Sequence, residues 1–130
     1  MNEKPVFVLV GHCGPDNAML KNAVQRSVPD ASITIVTDDD ALGRHLDPDS
    51  ILLINRMLDG EFQNSSGIEL IRRLHEARSA PILILISDLP DAQEQARSAG
   101  AAAGFGKTQL SDAATARILR DAADATQMGR

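Results

Sequence analysis

The chain has 130 residues, which suits one domain spanning 1–130 and leaves no room for a second folded unit. Apolar residues make up 43% of it and charged residues 24%, a balance that excludes disorder and fibrous repeats. A net charge of -5, no Trp or Tyr and only three Phe exclude the basic footprint and stacking aromatics of a nucleic-acid binder.

The first element is Val6–Val10 (VFVLV), apolar at every position. Such a β-branched run, bounded by turn residues, reads as a strand buried on both faces. Gly14 and Pro15 then open a helical stretch in which Leu20, Ala23, Val24 and Ser27 share a face, with proline in a first-turn position it tolerates. Ser32–Val36 (SITIV) alternates polar with apolar, as a less buried strand does. Asp38, Asp39 and Asp40 offer caps to a short helix over Ala41–Leu46. Ile51–Ile54 (ILLI) is the second solid apolar run. Ser65 or Ser66 then caps a helix with the stripe Ile68, Ile71 and Leu74. Ile82–Ile86 (ILILI) is the third, followed by a helix that starts at Asp88 and Pro90 and stops at Gly100. Ala102–Phe105 is a short, Ala- and Gly-rich strand. Ser111 caps a last helix with Ala114, Ile118, Ala122 and Ala125 on one face.

Strands alternating with helices require right-handed crossovers and a parallel sheet covered on both faces. The second and fifth strands are the least apolar and suit the edges, where burial is least. The order 2-1-3-4-5 puts them there, so a five-stranded, doubly wound α/β fold of flavodoxin-like type is expected. None of the apolar runs is long enough to span a bilayer. The N-terminal residues Met1, Asn2, Glu3, Lys4 and Pro5 lack a signal peptide's apolar core, so a cytoplasmic protein without a membrane partner is expected. The lone Cys13 cannot form an internal disulfide and is expected to be a small buried apolar residue.

In open parallel sheets the functional site lies beyond the carboxyl ends of the strands. This order delivers Gly11, His12 and Cys13 there from the first strand, and Asn55 and Arg56 from the third. Ser87 and Asp88 come from the fourth, and Gly106, Lys107 and Thr108 from the fifth.

Four segments resemble the receiver domains of bacterial two-component response regulators: ILLINRMLDG, SGIELIRRL, PILILIS and GAAAGFGK. The resemblance spans roughly residues 5–126 by order of elements. Position by position, Ser87 matches the family's phosphoryl-contacting hydroxyl and Lys107 its phosphoryl-pairing lysine. Met57 matches the methionine after the phosphoacceptor. The phosphoacceptor aspartate, however, is matched by Asn55, and the acidic pair after the first strand by Gly11 and His12. The proline after the lysine is Thr108. The switching aromatic falls on Gly104, with Phe105 beside it.

Phosphoryl transfer to a side chain needs an anionic nucleophile, which the Asn55 amide lacks. Magnesium binds through carboxylates, and none stands at positions 11, 12 or 55; a protonated His12 would repel it. The resemblance therefore implies a pseudo-receiver, with Gly11, His12, Asn55, Met57, Ser87 and Lys107 as a degenerate phosphorylation pocket. It is expected to be no enzyme and to need no cofactor or metal. It would act by protein contact through the face of the fourth and fifth helices and the fifth strand, near Asp91, Glu94, Phe105 and Leu110. With no output domain attached, its partner is expected to be a histidine kinase, a separate effector or a second copy.

Two other classes of function compete. One is a phosphoryl-accepting regulator that uses another carboxylate, Asp16 or Asp59. The other is a small-anion or nucleotide binder, with Lys107, Ser87, Arg56 and the Gly11–Asp16 amides around the anion. Against an anion site, Lys107 is expected to pair with Asp88 or reach solvent, and Asp16 competes for it. Ala101–Thr108 (AAAGFGKT) fits a loose phosphate-loop pattern, but most of it is strand. His12 and Cys13 are adjacent and diverge, which argues against a shared metal, and Asp59 reads as a turn former.

Overall fold

In a computed structural model, which describes residues 4–127, five parallel strands form one sheet in the order β2-β1-β3-β4-β5. The strands are β1 (Val6–Val10), β2 (Ser32–Val36), β3 (Ser50–Asn55), β4 (Ile82–Ile86) and β5 (Ala102–Phe105). Helices α1 (Gly14–Ser27), α2 (Asp39–Gly43), α3 (Gly67–Glu76), α4 (Pro90–Ala99) and α5 (Ala113–Gln127) connect and flank them.

The three solid runs fill the middle of the sheet, and side-chain alternation divides their residues between two cores. Val8, Val10, Leu52, Ile54 and Leu85 pack under α2, α3 and α4. Phe7, Leu9, Ile51, Leu53, Ile84 and Ile86 pack under α1 and α5. Each buried Leu or Ile stabilises the fold by about 1.5–3 kcal/mol, so both layers hold the strand ends in place.

Several elements differ from the sequence expectation. Strand β3 extends through Asn55, so this amide leaves the sheet at a fixed register. Helix α2 covers Asp39–Gly43 rather than Ala41–Leu46, because the Asp38 carboxylate accepts from the Ala41 N–H at 2.7 Å and starts it early. Ser66 is the cap of α3. At the end of the chain a 3-10 turn, Lys107–Gln109, precedes α5, which begins at Ala113 rather than next to Ser111. The buried face of α5 is Thr115, Leu119, Ala122, Ala123 and Thr126, while Ala114 and Ala125 are exposed.

Candidate functional site

The carboxyl ends of β1, β3, β4 and β5 meet at a mouth with an open cleft of about 440 Å³. Asn55, Arg56, Met57, Ser87, Leu89 and Lys107 line it. Of the expected pocket residues, Asn55, Met57, Ser87 and Lys107 line this cleft, while Gly11 and His12 do not. Their chemistry is turned inward.

Asn55 stands at the centre. Its Nδ2 donates to the Gly11 carbonyl at 2.9 Å and to the Met57 carbonyl at 2.8 Å. That fixes the amide with Oδ1 facing Lys107, whose Nζ lies 3.4 Å away. A carboxylate could not make the first two contacts, since it has no N–H to give. Gly11 has φ +74 and packs on Leu58: a Cβ here would lie 2.7 Å from Leu58 Cδ2. An acid at this position would meet both a disfavoured backbone region and a filled space.

His12 is 4% exposed, and its Nε2 donates to the Leu53 carbonyl at 2.9 Å. Burial pushes its pKa from 6.5 down to about 4, with the Leu53 hydrogen bond opposing this only in part. Only a protonated His12 would repel a cation, and near neutral pH it is an uncharged imidazole. Its Nδ1 is buried without a hydrogen-bond partner.

Lys107 does not pair with Asp88. Its Nζ donates to the Asp16 carboxylate at 2.5 Å, a contact between residues 91 apart in sequence. The Lys107 hydrogen bond holds the Asp16 carboxyl below the ordinary carboxylate range, and the Cys13 thiol adds to it against the opposing effect of burial. Asp88 instead accepts from Thr108, from its N–H at 3.2 Å and its Oγ1 at 2.6 Å. A proline at 108 would offer neither donor. Ser87 is buried at the cleft wall, where its Oγ accepts from the Leu89 N–H at 3.2 Å.

Two expected residues are displaced. Cys13 is exposed, because it sits at the N-cap of α1 rather than in the core. Phe105, expected on the contact face, is only 3% exposed. The register explains this: Ile84 pairs with Ala102 and Ile86 with Phe105, so three residues of β5 pass where two of β4 do. The extra residue turns Phe105 into the core beside Leu119. Asp91 and Glu94 remain exposed on α4, and Leu110 is half-buried.

One residue escaped the sequence reading. Gln93, on α4, reaches across the irregular stretch and donates from Nε2 to the Leu85 carbonyl at 2.9 Å and the Ser87 carbonyl at 3.0 Å. It fills the space beside Gly104, where a Cβ would lie 2.5 Å from the Gln93 amide and 2.3 Å from the Leu85 carbonyl oxygen. An aromatic side chain has no room at 104. A lone glutamine in a helix carries no motif, so no sequence pattern marks it.

The mouth does not fit a hard divalent cation. The Asn55 oxygen faces Lys107, the Gly11 and Met57 carbonyls accept from Asn55, Asp16 is paired with Lys107 and Asp88 with Thr108. Among the described residues no group of three His, Cys, Asp or Glu is placed to hold a metal ion. Half of the loose phosphate-loop match is β5 itself, and its Lys107 and Thr108 lie in the 3-10 turn that follows. Asp59 is exposed in the turn after β3, its N–H donating to the Gly11 carbonyl at 2.9 Å.

Solved structures similar to this one include receiver domains of response regulators. The signal receiver domain of a DNA-binding response regulator from Colwellia psychrerythraea 34H superposes with a TM-score of 0.70, at 17% identity over 92% of this chain and 97% of that one. The fold is the receiver fold. A response regulator receiver protein from Pseudoalteromonas atlantica is 24% identical over 90% of this chain and 98% of its own, with a TM-score of 0.64. The signal receiver domain of an HD domain-containing protein from Pseudomonas fluorescens Pf-5 covers 100% of this chain and 94% of its own at a TM-score of 0.69 and 17% identity. Neither the models of known protein families nor the curated proteins give a match to the sequence. Among the described residues of this receiver fold, no helix is long and apolar enough to cross a membrane.

Proposed function

We propose that the chain is a receiver-like signalling module of two-component type that works by protein contact, without phosphorylation of an aspartate. The observation that carries this reading is the Asn55 amide, bonded through Nδ2 to the Gly11 and Met57 carbonyls at the place where a nucleophile would stand. Phosphoryl transfer requires an attacking anionic oxygen, and an amide oxygen turned toward a lysine is not one. The alternative acceptors fare no better. Asp16 is committed to Lys107, and Asp59 lies in an exposed turn.

Contact is assigned to the face of α4, β5 and α5, through Asp91, Glu94 and Leu110, with Phe105 supporting that face from beneath. The partner is a histidine kinase, an effector or a second copy, and the setting is cytoplasmic. The module has no catalytic turnover of its own.

Incubation with acetyl phosphate and magnesium, followed by intact-mass measurement, tests the reading. No phosphoryl mass gain is expected. A gain mapped to Asp16 or Asp59 would overturn it. The Asn55→Asp variant is also expected to stay unlabelled, because Gly11 and His12 still supply no metal ligand.

A further inference from the structure

We propose that Asp16 is an internal counter-ion that silences an oxyanion seat built from Lys107, Ser87 and Arg56 at the mouth of the sheet. This deepens the preceding reading, since it concerns the same mouth and takes Asn55 to be inert.

A lysine ammonium at this depth needs a counter-charge. The Lys107 side chain is 28% exposed and that of Asp16 is 22% exposed, so the pair is partly withdrawn from water and its attraction is less screened than at an open surface. Asn55, at 3.4 Å, offers Lys107 only a neutral oxygen. The charge is supplied from the first turn of α1, by a side chain that no receiver-like segment of the sequence singles out.

The donors of the seat are otherwise in place. The Ser87 hydroxyl accepts from the Leu89 N–H, which leaves its own proton to give. Lys107 has three protons, and Asp16 and Asn55 take two directions of the three. Arg56 is exposed at the cleft rim. Charge decides whether these donors hold anything. Arg56 and Lys107 are balanced by Asp16 and Asp88, so an arriving oxyanion meets a neutral mouth and a lysine already paired. Neutralising Asp16 leaves one cation in excess and frees the Lys107 ammonium to face the cleft.

The test is a titration of the intact chain with inorganic phosphate at constant ionic strength, read by backbone amide shifts of Ser87, Asp88 and Lys107. The wild-type protein is expected to show no saturable shift. Asp16→Asn is expected to saturate at least tenfold more tightly than any residual wild-type response, and Asp16→Asn with Lys107→Ala is expected to lose that gain. Asp16→Ser provides the same test should the amide variant fold poorly. Saturable binding by the wild type equal to that of both Asp16 variants would overturn the proposal. So would the absence of binding by folded Asp16 variants. Because phosphate binding here leaves the intact mass unchanged, this outcome is separate from covalent labelling, which bears on the preceding reading alone.

Discussion

The middle of the sheet and its carboxyl mouth are both closed to new partners, in different ways. In the interior of β1, β3 and β4 (Phe7–Val10, Ile51–Ile54 and Leu83–Ile86) the side chains are apolar and buried, and any apolar residue of similar volume would serve nearly as well. At the mouth nearly every polar group has a named internal partner: Asn55 with Gly11 and Met57, Lys107 with Asp16, Asp88 with Thr108, Gln93 with Leu85 and Ser87. The comparison teaches that a cluster of polar groups can close on itself. Its donors and acceptors are paired with one another, which makes the mouth a second, polar core.

If that is so, substitutions in the two regions should differ in size and in pH dependence. The largest effect is expected in the middle: Leu85→Ala, at a fully buried site, should cost about 2–5 kcal/mol in urea unfolding with little change across pH. Acid should act on the mouth. His12 is held uncharged when folded, with a pKa lowered to about 4 from 6.5, so between these values the unfolded chain binds a proton that the folded chain does not. Its contribution is complete above pH 6.5 and is lost as pH falls to about 4, a decline of about 3 kcal/mol. Asp16 carries the loss onward: its lowered pKa stabilises the fold above its unfolded value of 3.8 and ceases to do so as pH falls through the folded value. A His12→Leu variant should flatten the first part of that profile, measured by urea midpoints from pH 7 to 4. The smallest effect is expected for Gln93→Ala, about 1–3 kcal/mol from the carbonyls it leaves unpaired, with faster amide exchange confined to the ends of β4 and β5.

The same division governs what the sequence discloses. VFVLV, ILLI and ILILI declare buried strands by composition alone, and the weaker apolarity of the second and fifth strands suffices to choose the sheet order. The mouth residues are also legible, because strand ends deliver them. Their pairings are not. The Lys107–Asp16 contact joins residues that no local pattern connects. The buried face of α5 differs from the expected one because Thr115 and Thr126 take core positions, each satisfying its hydroxyl on a backbone carbonyl at 2.7 Å and so behaving as an apolar residue. Phe105 depended on one additional residue in a four-residue strand, and Cys13 on where a helix begins.

That additional residue has a consequence for association. A sheet grows by offering its outer ladder to another chain, and β5, short and out of step between Ile84 and Ile86, offers a broken one. The opposite border, β2, is regular along all five residues and exposes Ile35. A regular outer ladder is thus offered by β2, and two copies meeting edge to edge there would form a pair.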